Sequence, residues 1–196
     1  MILKNTKLKN ELKKLLNDNL KDILIFGSTV KGKDHPKDTD ILIIFKKEID
    51  KEIEYKIKKI LEKYTNDLSL ISKKEQEILD PSFDVREAVL FEAISLITNK
   101  NLAANYGFNS YGLFKYNFFE WNKSEKTKFY YALNGRRGSK GVFQELECIK
   151  FSDQIVLVPL QNIEKFKNFL DSWKFNYKYI PLLLPLRLSK AKFLEA

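Results

Sequence analysis

The chain has 196 residues, of which 44% are hydrophobic and 13% aromatic, so it can bury a core and is not a disordered chain. One cysteine excludes an internal disulfide, and with one histidine it argues against a Cys/His zinc site, so any metal should be a hard cation held by oxygen. Residues 1–100 carry 20 Lys and Arg against 18 Asp and Glu, whereas residues 101–196 carry 15 against 8. The basic second half favours a polyanionic partner, although lysine-rich composition also occurs for other reasons, such as a hot habitat.

The sequence gives no sign of a membrane segment. No apolar run approaches the roughly 18–20 residues that cross a bilayer. The first ten residues, MILKNTKLKN, lack the apolar stretch of a signal peptide. We therefore expect a cytoplasmic protein without a membrane partner, and the sequence does not indicate its oligomeric state.

The first hundred residues alternate between helical and strand-like patterns, which predicts a small α/β domain over 1–100 with helices packed on a mixed sheet. In chain order the pattern predicts a helix over Leu8–Leu20, a strand over Asp22–Phe26, a loop over Lys31–Lys37, a strand over Ile41–Phe45, a helix over 48–64, a strand over Asp67–Ser72 and a helix over Asp84–Thr98.

The second half, 101–196, predicts a separate, small, basic α+β domain that presents the acceptor. In chain order we expect a linker over Asn101–Ser110, an aromatic strand over Tyr111–Trp121, a helix over Glu125–Asn134, a hairpin within Val142–Leu160 that turns near Ser152-Asp153, a helix over Ile163–Trp173 and a strand over Tyr177–Leu184. Asn122 and Glu125 have the spacing of a helix capping box. Phe114, Tyr116 and Phe118 alternate along the aromatic strand, which favours a role in the core over base stacking.

The residues best suited to chemistry lie around two strand ends. Gly27 and Ser28 follow the first strand, and such a turn lets backbone N–H groups approach a phosphate closely because glycine has no Cβ. Asp38 and Asp40 lie two residues apart at the start of the next strand, so both side chains face one way and Thr39 faces the other. Paired carboxylates repel each other unless a cation lies between them, which favours Mg²⁺. Taken singly, the turn and the aspartates could each be structural or solvated.

These two motifs and their spacing resemble the polymerase-β-type nucleotidyltransferase superfamily, most closely its minimal nucleotidyltransferase branch, over residues 8–98. The resemblance implies a two-metal Mg²⁺ site formed by Asp38, Asp40 and Asp67, with Asp67 also near the acceptor hydroxyl. It implies a nucleoside triphosphate such as ATP as substrate, held by Gly27 and Ser28. Lys31 is a further candidate for contact with the triphosphate, with a solvated lysine as the favoured alternative. Lys37 and Thr39 depart from the family pattern, which has serine and an apolar residue there.

The residues that bear on the acceptor lie in the second half of the chain. The loop from Gly135 to Gly141 carries Arg136, Arg137 and Lys140, which could follow an RNA backbone or form a solvated turn. We expect transfer to an RNA end such as that of a tRNA. A protein-modifying nucleotidyltransferase, as among toxin- and antitoxin-like members, and an inactive RNA-binding protein are the alternatives.

Overall fold

A computed structural model describes residues 2–33, 38–118 and 121–189. The chain divides into two compact units, Met1–Tyr106 and Gly107–Ala196, here called the first and second units. Most of the predicted 31–37 loop, including Lys37, lies outside the described residues. Among the described residues, none of the helices combines the length and the hydrophobicity that a transmembrane span requires.

The first unit is a mixed four-stranded sheet between helices, as the sequence predicts. Its strands are β1 (Leu20–Phe26), β2 (Thr39–Phe45), β3 (Leu68–Lys74) and β4 (Ile94–Ser95), and its helices are α1 (Thr6–Lys13), α2 (Lys51–Leu61), α3 (Arg86–Glu92) and α4 (Leu102–Asn105). The sheet order is β3-β2-β1-β4. β1 is antiparallel to β2 and β4, whereas β2 and β3 are parallel.

The sheet buries both of its faces because residues in β1 and β2 are apolar almost throughout. One face, which includes Ile25 and Ile41, packs against α1 and α2. The other face, which includes Leu24 and Leu42, packs against Val89 of α3. This second face is the one that Asp40 shares, since successive strand residues alternate between faces.

The helices α1 and α3 of the first unit end well before the residues that the sequence predicts. α1 stops at Lys13, and Leu20 belongs to β1, where it is buried; Leu16, which fits the helical spacing, is exposed. α3 stops at Glu92 because Ile94 and Ser95 pair with Ile25 and Leu24 of β1. Leu20 and Ile94 each fit the apolar spacing of the preceding helix, but each belongs to a strand of the sheet instead.

The predicted linker at 101–110 is also wrong. Asn101 caps the short helix α4 by accepting a hydrogen bond from the Ala103 N–H, at 2.7 Å, and Leu102 and Ala103 are buried. Phe108 already begins the first strand of the second unit. The run of small and polar residues is therefore part of the packed structure.

The second unit is an antiparallel four-stranded sheet with helices. Its strands are β5 (Phe108–Tyr116), β6 (Ile149–Ser152), β7 (Ile155–Pro159) and β8 (Tyr177–Pro185), and its helices are α5 (Lys123–Asn134), α6 (Val142–Glu145), α7 (Ile163–Ser172) and α8 (Leu186–Ser189). The sheet order is β6-β7-β5-β8. The capping box of Asn122 and Glu125 and the β6–β7 hairpin are confirmed, whereas α6 occupies residues predicted as strand.

Aromatic side chains form the core of the second unit. Phe114 and Tyr116 of β5 are buried, as the alternation predicts, and the ring of Tyr116 lies 5.8 Å from that of Phe129 on α5. The only cysteine of the chain, Cys148, lies in this unit, and burial raises the pKa of its thiol to about 12.

Candidate active site

Gly27 and Asp40 meet where β1 ends and β2 begins. The antiparallel register pairs Asp40 with Phe26, the last residue of β1, so the following turn lies beside the carboxylate. Gly27 has φ +80°, and a Cβ on it would lie 2.6 Å from Oδ2 of Asp40. Only glycine therefore suits this position, for its backbone conformation and for the space that Asp40 occupies.

The turn after β1 is a short 3₁₀ segment, Gly27–Thr29, instead of the start of an α-helix that would strengthen phosphate binding. Ser28 is half-buried within it. The hydroxyl of Thr29 donates to the backbone carbonyl of Asp38, at 3.3 Å, and so ties the turn to the residue before β2.

Asp38 and Asp40 flank a buried threonine. Thr39 is buried, and its hydroxyl shares a hydrogen bond with the Thr65 hydroxyl at 2.8 Å. The threonine that replaces the apolar residue of the family pattern therefore has a hydrogen-bond partner. Asp38 is exposed and Asp40 half-buried. The two carboxylates are thus oriented away from the face on which Thr39 packs, as the alternation predicts.

Asp67 lies immediately before β3 and next to this pair. Its backbone carbonyl accepts a hydrogen bond from the Thr39 N–H, at 2.9 Å, and its side chain is exposed. The parallel register then sets Ser69 directly beside Asp40. Sequence reasoning passed over Ser69, although its spacing of two from Asp67 places both on one face of β3.

The charge around Asp40 is strongly negative. Burial raises the pKa of Asp40 above its ordinary value, and the charge of Asp38 raises it further, with smaller contributions from Glu92 and Asp67. A hydrogen bond from the Ser69 side chain acts in the opposite direction. A cation would relieve this repulsion. In the part of the chain that the structure describes, no three His, Cys, Asp or Glu side chains are grouped closely enough to hold a metal by themselves.

Glu92 is a site residue that the sequence analysis missed. It is buried at the end of α3, where its Oε2 accepts a hydrogen bond from the Gly27 N–H, at 3.0 Å. Its Oε1 lies 2.7 Å from Nζ of Lys31. Lys31 and the Gly27 N–H, both predicted to contact the triphosphate, therefore contact a protein carboxylate. The signal was present, because Glu92 is a lone charge between Phe91 and Ala93.

The predicted RNA-binding residues belong to the second unit. Arg136, Arg137 and Lys140 are exposed, and the guanidinium of Arg136 lies 4.7 Å from the centre of the Tyr131 ring. The loop that carries them is tightly closed, since the Ser139 hydroxyl donates to the Arg136 carbonyl, at 2.6 Å.

A helix-flanked mixed sheet with an Asp-x-Asp pair beside a Gly-Ser turn defines a nucleotidyltransferase domain. In agreement, residues 6–101 match the family model described as Polymerase beta, Nucleotidyltransferase, so this part of the chain is a polymerase-β-type nucleotidyltransferase domain. Comparison with curated proteins and with solved structures gave no significant match.

Proposed function

We propose that this protein is a Mg²⁺-dependent nucleotidyltransferase that moves a nucleoside monophosphate from a nucleoside triphosphate to a hydroxyl of RNA, such as a tRNA end. The observation that carries the proposal is Asp40 set against Gly27, where burial and then the charge of Asp38 raise the pKa of Asp40. A dead site gains nothing from such repulsion.

The residues present fit magnesium. Mg²⁺ is usually held by one or two carboxylates, with water and substrate phosphates completing its octahedron, so Asp38 and Asp40 suffice as protein ligands and Asp67 can join when substrate binds. Bound Mg²⁺ would neutralise the charge of the triphosphate and of the leaving pyrophosphate.

In such a reaction the main role of the protein is to align the acceptor hydroxyl with the α-phosphorus of the triphosphate. The acceptor oxygen forms a bond to the α-phosphorus while the bond from that phosphorus to the bridging oxygen breaks, and pyrophosphate leaves with the electron pair. Asp67, exposed beside the pair, is suited to accept the proton of the acceptor hydroxyl. Ser28 would donate a hydrogen bond to the triphosphate.

Lys31 has a conditional role in this proposal. Its ammonium group pairs with Glu92, and a triphosphate entering the turn would compete for it. If a phosphate of the triphosphate replaced the Glu92 carboxylate as the partner of Lys31, the ammonium group would still be paired with an anion. Glu92 would then remain close to Gly27.

The test is incubation of the full chain with Mg²⁺ and each α-labelled nucleoside triphosphate, together with total tRNA or with lysate proteins. We expect label on tRNA, and loss of at least a thousandfold in rate with Asp40→Asn, as an electrostatic contribution of about 4 kcal/mol implies. Asp18→Asn is the matched control, because it makes the same carboxylate-to-amide change at an exposed residue near the opposite end of β1.

The same assay separates the alternatives. Label on a polypeptide would replace RNA by protein as the acceptor. Absence of label with every triphosphate, with RNA binding retained, would indicate an inactive RNA-binding protein. Transfer that survives Asp40→Asn would show that the site is assigned to the wrong residues.

A further inference from the structure

Two adjoining cavities lie at one end of the sheet in the second unit. The first, of about 420 Å³, is lined by rings that include Phe118, Phe129, Tyr130 and Phe143. The second, of about 480 Å³, is lined by Lys115 and Lys178 among others. Tyr116 and Gln154 line both cavities, so the two are neighbours, and we call the pair the composite site, with an aromatic part and a basic part.

The aromatic cavity has the dimensions and lining of a small-molecule site. Ligand pockets commonly measure about 300–1,000 Å³ and combine apolar walls with a few polar groups. Here the amides of Asn134 and Gln154 and the ammonium of Lys126 stand among the rings. The single carboxylate of the lining, Asp153, is paired with Lys150 at 2.7 Å. The cavity therefore suits a flat aromatic group carrying hydrogen-bonding edges.

The basic cavity contains an unfavourable charge arrangement. Lys115 on β5 and Lys178 on β8 are direct cross-strand partners, and both are exposed. Like charges placed directly opposite each other on neighbouring strands destabilise a sheet. A bound anion between the two ammonium groups would turn this repulsion into attraction.

We propose that this composite site holds an unpaired nucleotide of single-stranded RNA, with its base among the rings around Tyr130 and its phosphate between Lys115 and Lys178. Base stacking on aromatic side chains together with basic contacts to the backbone is the usual way in which proteins hold single strands. This inference deepens the proposed function, on which it rests for the choice of RNA as partner. It assigns RNA binding in the second unit to named residues.

The first experiment measures binding without catalysis. The full chain is titrated, in EDTA and without triphosphate, into a fluorescein-labelled single-stranded oligoadenylate of about ten nucleotides, and anisotropy is followed. Lys178→Gln should weaken binding roughly fivefold to tenfold at low salt and should reduce the slope of log K against log salt by about 0.7, the value for one phosphate contact with a single strand. Lys165→Gln, an exposed lysine of α7, is the control for charge alone.

Stability supplies an independent readout of the same variant. Because Lys178→Gln removes a like-charge contact, the variant should unfold at the same temperature as the wild type or higher. Weaker binding with unchanged or increased stability cannot come from misfolding. Equal effects of Lys178→Gln and Lys165→Gln on affinity would overturn the phosphate assignment.

The second experiment tests the aromatic part. Both tryptophans of the chain contact Phe129, with ring centres 5.6 Å away for Trp121 and 5.3 Å for Trp173. Tryptophan emission should therefore change as RNA binds. Tyr130→Ala should weaken binding about tenfold, the effect expected for one stacked base.

Controls for this second experiment concern both partners. Tyr55→Ala, another exposed helical tyrosine, should leave affinity unchanged. Duplex RNA of the same length, single-stranded DNA and free AMP are the competing ligands. Binding of duplex RNA as tight as that of the single strand, or AMP as effective as the oligonucleotide, would refute the proposal. Since no triphosphate is present, failure of nucleotide transfer would leave these results intact, and failure of binding would leave transfer testable.

Discussion

Replacing Gly27 by alanine tests the contact between Gly27 and Asp40 in the candidate active site. Gly27 has φ +80°, and an alanine Cβ would lie 2.6 Å from Oδ2 of Asp40. The same Cβ would lie 3.9 Å from Cβ of Asp40, which is an ordinary contact. The clash thus comes from the carboxylate group and is separable from the backbone conformation.

The expected loss of stability has two parts. A non-glycine residue in the left-handed region costs about 1–2 kcal/mol. Turning Asp40 away from its present rotamer costs about 0.5–1.5 kcal/mol, and its hydrogen bond from Ser69 would be lost as well. Gly27→Ala should therefore reduce the free energy of unfolding by about 2–3 kcal/mol in the wild-type background. In an Asp40→Ala background only the backbone part, about 1–2 kcal/mol, should remain.

The assay is denaturant unfolding followed by circular dichroism, because both tryptophans lie in the second unit and would report poorly on Gly27. Gly138→Ala is the matched control, since Gly138 has φ +86° and a Cβ there would meet nothing within 4 Å. It should cost only the backbone part. An equal penalty for Gly27→Ala with and without the Asp40 carboxylate would show that the two residues do not touch.

Three further predictions concern other polar residues. Burial raises the pKa of Asp22, whose carboxylate accepts a hydrogen bond from the Ser95 hydroxyl at 2.7 Å. The folded state therefore binds a proton at Asp22 more tightly than the unfolded state does. The free energy of unfolding should then fall as the pH rises from about 3.8 through the pKa of Asp22 in the folded state. Asp22→Asn keeps the acceptor and should remove this loss, so its unfolding midpoint should exceed that of the wild type at pH 7 but not at pH 3. Glu92→Gln should reduce the free energy of unfolding by about 1–2 kcal/mol, because it breaks a partly exposed ion pair with Lys31 while the amide can still accept from Gly27; calorimetry that detects no change would exclude this role. Asn122→Ala should cost about 1 kcal/mol through loss of the cap of α5, and Asn122→Asp, which can still cap, should not.

The central strands and the placing of Asp38 and Asp40 beside the Gly27 turn were predictable because two independent signals agree there. The apolar run ending at Gly27 and the run following Asp40 are each bounded by turn residues, and their spacing fits the family pattern. The alternation of Asp38, Thr39 and Asp40 also predicted which face each side chain takes.

The errors share a physical cause, which is tertiary burial of a residue that fits another local pattern. Ile94 continues the helical spacing of α3, yet it pairs with β1. Glu92 escaped notice since a buried charge shows its purpose only through its partners, Gly27 and Lys31. Such contacts join residues more than sixty positions apart, and no single-sequence pattern records them.

The half-buried thiol of Cys148 makes the second unit accessible to a simple chemical experiment. With its pKa raised to about 12, it carries almost no thiolate at neutral pH while the fold is intact. Alkylation of this single position should then be slow in the closed structure and faster when the structure around it opens, so a rise in the labelling rate would report opening of residues near β6. The native sequence thus contains its own monitor of local unfolding, without any engineered label.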